Sequence, residues 1–591
     1  MNAPGHANET IINPDALKPK LRLKFPIAIA VLFWLSWIIN GRVEKAYFTS
    51  FMTELATSGV FILLFLGWWW FNRGLRLKEK FIGFVLIVGG AFVAGKIRHV
   101  SLNPFLLITP GIPIIATVIL AIFFRERENR RTLIGLPFVA GVVLVWASFS
   151  LIRMDGADSA LKNALHWRWT PSAEERFLAE NRSHTAKKPA AALDAAPGEL
   201  DWTAFRGANR DGIIHGSSIA TNWTGNVPTL VWKRAVGPAW SSMITIGERL
   251  FTQEQRGATE AVVCYDANDG QEIWAHEDEI RFEEALSGIG PRATPTFEKG
   301  RLYTYGGKGI LNCLDAATGK MIWKKDVRAD SGFPVAMWGF SSSPLVIDGR
   351  VIIYAGGPKG ILAYRTDNGD LAWTAPGGEM GYSSGQGVMI DGASQCLMLI
   401  DTGLIAFNPT DGKKLWEAGS ASKGPPRCTQ PRLIAPGQLL VGGLDGAGMS
   451  LIQVSKKADA WNVTPLWTSK DLKPEFPDYV VYKDHAYGFD ASIFACIRLS
   501  DGKREWKDGR YGMGQVVLLA DQGLLLVSSE KGELILLPAD PTANKELGRI
   551  QAIEGKTWNS PVVRGDRIFH RNAQEMACYR AAATPAKVAQ K

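Results

Sequence analysis

The chain has 591 residues, with 66 Lys/Arg against 57 Asp/Glu and a net charge of +9, long enough for more than one region with its own core. Residues 1–152 hold 16 of the basic and 7 of the acidic residues, and so carry all of the +9, while the remainder holds 50 of each. The basic balance therefore reports the arrangement of the first quarter of the chain, and it argues against nucleic-acid binding by the rest.

A tail over 1–24 leads into a region, 25–152, with five apolar runs near 25–39, 55–71, 81–94, 104–124 and 133–152. A spanning helix needs roughly 20 apolar residues. The last two runs read as clear spans and the first two as adequate. The third, 81–94, reads as a span only if Lys96 snorkels and the helix reaches Ile97. Flanking charge supports five crossings. Lys18, Lys20, Arg22 and Lys24, then Arg73, Arg76, Lys78 and Lys80, then Arg125, Arg127, Arg130 and Arg131 stand on one side. The alternate connections hold only Arg42, Lys45, Lys96 and Arg98. Such alternation places the N-terminus in the cytoplasm and exports everything after 152. The triple Trp68-Trp69-Trp70 falls at a span end, where interfacial aromatics belong.

Residues 153–200 read as a linker. SAEERFLAENR (172–182) has the composition of a short helix, and AKKPAAALDAAPGELD (186–201) that of a spacer.

Beyond 200 one period dominates. Trp232, Trp274, Trp323, Trp373, Trp416, Trp467 and Trp506 are separated by 42, 49, 50, 43, 51 and 39 residues, the spacing of propeller blades. Stretches such as YDANDGQEIW (265–274), LDAATGKMIW (314–323) and FNPTDGKKLW (407–416) repeat a polar residue, a Gly and a Trp four residues after it. Gly supplies the positive φ of a tight hairpin, and the Trp is a wedge against the next blade. Seven units start near Ser241, Ala293, Ser342, Ser383, Thr429, Pro477 and Gln515. An eighth is split between 560–580 and the lone Trp strand 229–233, which would close the ring. The fifth unit replaces the turn with 454–467, and the seventh has Ile550 where Trp is expected.

This repeat resembles the pyrroloquinoline-quinone (PQQ) repeat with its tryptophan-docking turn, over roughly 200–580. The resemblance implies an all-β, eight-bladed propeller at 201–580, behind an α-helical membrane domain of about five spans and ahead of a disordered tail, 581–591. The family includes quinoprotein dehydrogenases and the propeller lipoprotein of outer-membrane β-barrel assembly, so the repeat does not by itself imply a bound cofactor. The layout is also similar to membrane-bound glucose dehydrogenase. The expectation is a non-catalytic binding or scaffold module in the bacterial inner membrane, its propeller periplasmic, with an envelope protein or peptide as partner. The alternative is a PQQ- and Ca²⁺-dependent dehydrogenase passing electrons from a sugar or alcohol to membrane quinone.

Cys264, Cys313, Cys496 and Cys578 occupy one slot of the repeat that Ala363 and Ala406 fill elsewhere, so small buried thiols are expected rather than disulfides. GYSSG (381–385) matches a nucleophile elbow but opens a blade with no helix to follow, which makes it a turn. No histidine pair has metal-ligand spacing. The segments preceding each first strand are rich in polar and aromatic groups, and Trp240, Glu254, Arg292, Trp338, Arg427, Tyr479 and Trp558 could converge on the axis. They would either plug the channel or hold a planar anionic ligand with a cation. Asp478 and Glu254 are the candidates for a base, and no catalytic or metal-binding set is assigned.

Overall fold

The computed structural model describes residues 21–42, 47–126, 134–159, 162–181, 193, 196–419, 428–444 and 448–582. Most of the tail 1–24 and of the tail 581–591 lies outside them. The chain divides into two compact units, Met1–Thr170 and Pro171–Lys591.

The first unit is helical: α1 (Lys24–Asn40), α2 (Tyr47–Phe71), α3 (Leu77–Ile97), α4 (Ile112–Arg125) and α5 (Leu136–Ser150). Among the described residues three apolar stretches are long enough to cross a membrane, Phe51–Phe71, Leu77–Ile97 and Leu107–Arg125, while α1 and α5 are shorter. This corrects the expected ranking of the runs. The third run is a full-length helix because it starts early, where Arg76 N–H donates to Glu79 (2.8 Å). It reaches Ile97, with Lys96 over the Phe92 ring at 5.6 Å. The fifth is cut to 15 residues because 152–157 turns into a strand, Ile152–Ala157, paired with Asn163–Trp167. The tryptophans also differ from expectation. Trp68 and Trp69 are buried, and Trp69 packs on Phe123 and Phe138 at 6.1 and 6.2 Å. Gly83 and Gly90 make room for Trp69 and Trp146, since a Cβ at either would lie 2.5 or 2.4 Å from the ring. The apolar side chains left outside, among them Leu32, Leu63, Val85, Phe92 and Leu144, are exposed.

The second unit opens with α6 (Ala173–Asn181), capped by Ser172 and Glu175, which exchange hydrogen bonds at 2.7 and 3.1 Å. The helix docks on the first blade. Phe177 is buried beneath Arg256, and Glu174 pairs with Arg281 at 2.8 Å.

Among the described residues eight blades follow, seven of them four-stranded antiparallel sheets and the seventh in order five-stranded, in sequence order from blade 1 (Ile244–Ile246, Arg249–Arg256, Thr259–Asp266, Glu272–Asp278) to blade 8. Blade 8 joins Val562–Arg564, Arg567–Arg571 and Glu575–Arg580 to the earlier strand Thr229–Ala235, so the split unit closes the ring as expected. Blade 7 gains a strand that the repeat pattern does not contain: Ile213–Ile214 runs parallel to Gln515–Leu519.

The recurring turn does two jobs. Gly319, Gly369 and Gly412 have φ near +74°, and each lies flush on the Trp of the preceding blade, where a Cβ would come within 2.7 Å of the ring. The ring nitrogens of Trp232, Trp323, Trp373, Trp467 and Trp506 donate to carbonyls of the following blade at 2.7–3.2 Å. Directly across from a Trp stands a small residue: Cys264 faces Trp274, Cys313 faces Trp323, Ala363 faces Trp373, Ala406 faces Trp416, Cys496 faces Trp506 and Cys578 faces Trp232. None of the six cysteines forms a disulfide among the described residues. The departures from the repeat are absorbed locally. Blade 5 runs its last two strands on as a long hairpin, with Trp467 facing Leu451, and in blade 7 Ile550 faces Leu534.

Candidate functional site

The first strands of the blades line the axis. Just before each one, a side chain or amide of one blade reaches the next, and the bonds form a closed belt. Ser560 N–H donates to Ser242 Oγ (2.8 Å), Ser242 N–H to Thr294 Oγ1 (3.0 Å), Thr294 N–H to Ser343 Oγ (2.9 Å) and Ser343 N–H to Ser384 Oγ (2.9 Å). Ser383 Oγ then donates to Thr429 O (2.8 Å), and Tyr479 Oη to Gln430 O (3.1 Å). Asp478 N–H donates to Gln515 Oε1 (3.4 Å), and Gln515 Nε2 to Trp558 O (3.2 Å), which returns to blade 8. The serines of GYSSG are therefore members of this belt, and a strand, Gln386–Ile390, follows them.

Residues 202–214 fill the space inside the belt, and they touch all eight blades. Trp202 bridges Thr245 and donates through Nε1 to Val563 O, and Thr203 O accepts from Phe297 N–H. Arg210 reaches Pro344 O (2.9 Å) and Ser343 O (3.0 Å), and Asn209 O accepts from Gln386 (2.9 Å). Arg210 O accepts from Arg432, while Arg206 donates to Tyr479 O (3.0 Å) and Val516 O (3.1 Å). Both Arg206 and Arg210 have positive φ, +63° and +57°. Asp478 sits among them, 3.0 Å from Arg432 and 3.4 Å from Arg206. This plug was not legible as such. Its arginines lie before the first repeat, in a stretch with no period.

On the face that carries the blade-to-blade connections, the structure brings Trp240 and Trp558 together, with ring centroids 4.8 Å apart. Phe476 lies 4.9 Å from Trp558, and Lys556 stands over both indoles at 5.0 and 4.3 Å. Trp558 Nε1 donates to Glu530 (2.8 Å) and Trp240 Nε1 to Ser287 O (2.9 Å). Burial pushes Glu475, next in sequence to Phe476, up to about 7. A second group forms around Trp338, whose ring is 5.3 Å from Tyr382. Arg292 donates to Trp338 O (3.1 Å), Ser287 Oγ (2.8 Å), Gly288 O (2.9 Å) and Gly290 O. Its guanidinium thus ties down the 283–290 excursion.

Glu254 and Tyr479 stand apart from these clusters. Glu254 is fully buried, paired with Arg256 at 2.7 Å and accepting from Tyr265 Oη. Tyr479 is buried in the belt, its one hydroxyl proton shared between Leu440 O at 2.7 Å and Gln430 O at 3.1 Å. Arg427 lies outside the described residues. Glu254 and Asp478 are thus committed to arginines, and Glu530 accepts from the Trp558 N–H. Among the described residues no three His, Cys, Asp or Glu side chains come together as metal ligands, and no quinone–calcium set can be assigned from the donors present.

Eight blades, the docked Trp–Gly contacts and the split closing blade define a propeller built of PQQ-like repeats. Residues 258–508 match the family model described as outer membrane protein assembly factor BamB. BamB of Yersinia pestis is 24% identical over 273 residues, 43% of this chain and 66% of that protein. Quinohemoprotein alcohol dehydrogenase ADH-IIG of Pseudomonas putida is 32% identical over 145 residues, 23% of this chain. The chain spans 20% of that protein's length. The crystal structure of BamB from Moraxella catarrhalis aligns with a TM-score of 0.46 at 13% identity, covering 60% of this chain and all of that one.

Proposed function

We propose that the protein is a membrane-anchored, exported propeller that acts as a non-catalytic binding module in the cell envelope, taking a protein or peptide partner on the face that carries Trp240, Trp558 and Trp338. The observation that carries the reading is the composition of that rim. The tilted indoles of Trp240 and Trp558 pack with Phe476 under Lys556, and Met337, next to Trp338 of the second group, is 66% exposed, the aromatic and Met mixture enriched at interface cores. Anchoring draws on the three long apolar helices, the flanking charge and the apolar exterior of the first unit. It draws also on Trp167 and Trp169, exposed and stacked at 5.1 Å just beyond α5, as interfacial aromatics stand. The similarity to BamB supports a partner in the envelope.

A photo-crosslinking residue at Met337 or Trp240 in the full chain tests this. One discrete adduct in envelopes, absent when the probe is at Lys413 in a turn of blade 4, is expected. Equal, diffuse labelling from all three positions would refute it.

The second reading, a quinoprotein dehydrogenase, is favoured by the stretches 30–32% identical to quinohemoprotein alcohol dehydrogenases. Against it stands the commitment of Arg292, Glu254 and Asp478 to the protein itself.

A further inference from the structure

We infer that the plugged neck of the propeller holds a small monovalent anion, a halide or a carboxylate, between the guanidinium groups of Arg210 and Arg432. Three guanidiniums meet there, those of Arg206, Arg210 and Arg432, at 1%, 3% and 5% exposure, with Asp478 as the buried carboxylate among them. Asp478 is shared by Arg206 and Arg432, and Asp211, half-buried, adds a weaker attraction on Arg206. Among the described residues no carboxylate is paired with Arg210, whose electrostatic neighbours are the Cys396 thiol and the Arg432 charge. Burial above all pulls Arg210, like Arg206, down to about 10.

Buried charge of one sign is costly unless balanced, and backbone carbonyls supply only part of the balance. Arg210 gives its two terminal nitrogens to Pro344 O and Ser343 O, and Arg432 gives one to Arg210 O. The Nε–H groups of Arg210 and Arg432 are buried with no acceptor among the described residues, and a buried unsatisfied donor calls for a partner. The left-handed backbone at Arg206 and Arg210 is disfavoured for residues with a Cβ, so both side chains are held in the neck at the expense of strain. Arg210 also lines a cleft of 370 Å³ with Thr203, Ala204, Ala208 and Thr296. Glu298, on its wall, is paired with Lys299 at 3.8 Å. The cleft offers a small anion a way in.

The test is thermal unfolding of the full chain in detergent at fixed ionic strength, titrated with chloride, bromide or formate against a bulky sulfonate. A saturable rise in Tm is expected with halide or formate, roughly 5 °C at a hundredfold excess over Kd, and it is lost in Arg210→Met. A halide-only rise assigns chloride chemistry, and a formate-only rise assigns a carboxylate. No saturable rise, or the same rise in Arg210→Met, overturns the inference. Should Arg210→Met fail to fold, crystals of the wild-type chain soaked in bromide decide. Anomalous density between Arg210 and Arg432 supports the site; its absence there together with no formate-dependent rise in the wild-type Tm, or an adventitious ion only on surface residues with no such rise, overturns it.

Discussion

At the scale of single residues, Gly412 shows why the repeat tolerates so little. Its φ of +73° already disfavours a side chain, and a Cβ would lie 2.5 Å from the Trp373 ring. Strain and overlap act together, so Gly412→Ala is expected to destabilise the propeller by about 3 kcal/mol. Gly392 shares the positive φ but has open space around it, and Gly392→Ala should cost only about 1 kcal/mol. Chemical denaturation of the two variants checks the difference, and equal losses would contradict the Trp contact as its cause. The cysteine slot is the same physics seen from the other strand. A thiol or methyl stands opposite six of the indoles, and only the long hairpin of blade 5 sets a larger residue, Leu451, opposite its Trp467 among the described residues. Burial pushes the Cys313, Cys496 and Cys578 thiols up to about 12, which suits packing groups rather than nucleophiles. These residues were legible because they recur. Arg206, Arg210, Arg432 and Lys556 occur once each, and nothing in their sequence neighbourhood announces that the fold brings them to the axis or the rim.

At the scale of elements, period served well and hydropathy served less well. The split eighth blade could be assembled from two half-units 330 residues apart, because each lacked what the other had. Run length misjudged the helices: α3 gains a turn from its capped start, and α5 loses one to a strand. The closing strand Thr229–Ala235 carries the contact that joins blade 8 to blade 1, with Trp232 stacked on Gly270 and donating to Ala267 O at 3.0 Å. Trp232→Ala is expected to cost about 3–5 kcal/mol and to make 229–240 the first site of limited proteolysis. Val231→Ala, on the exposed side of the same strand, should leave both unchanged. If the Trp232 variant resists protease like the wild type, the closure does not hold the ring.

At the scale of the whole molecule, the propeller's architecture followed from the repeat, whereas function could not, because the repeat is shared by proteins with and without chemistry. Trp240 and Trp558 do meet at the rim, yet Arg292, Glu254 and Tyr479 are spent on holding loops and blades together. A ring belted by hydrogen bonds and plugged by 202–214 is a rigid platform, and we read its aromatic face as a docking surface. The measurement that bears most directly on this account is a titration of the full chain in detergent with PQQ and Ca²⁺, followed by tryptophan fluorescence and quinone absorbance. The account predicts no saturable binding at tens of micromolar, an order of magnitude well above that of a cofactor held by a dedicated site. Saturable, calcium-dependent binding that Trp240→Ala or Trp558→Ala abolishes would contradict it and make the protein a quinoprotein.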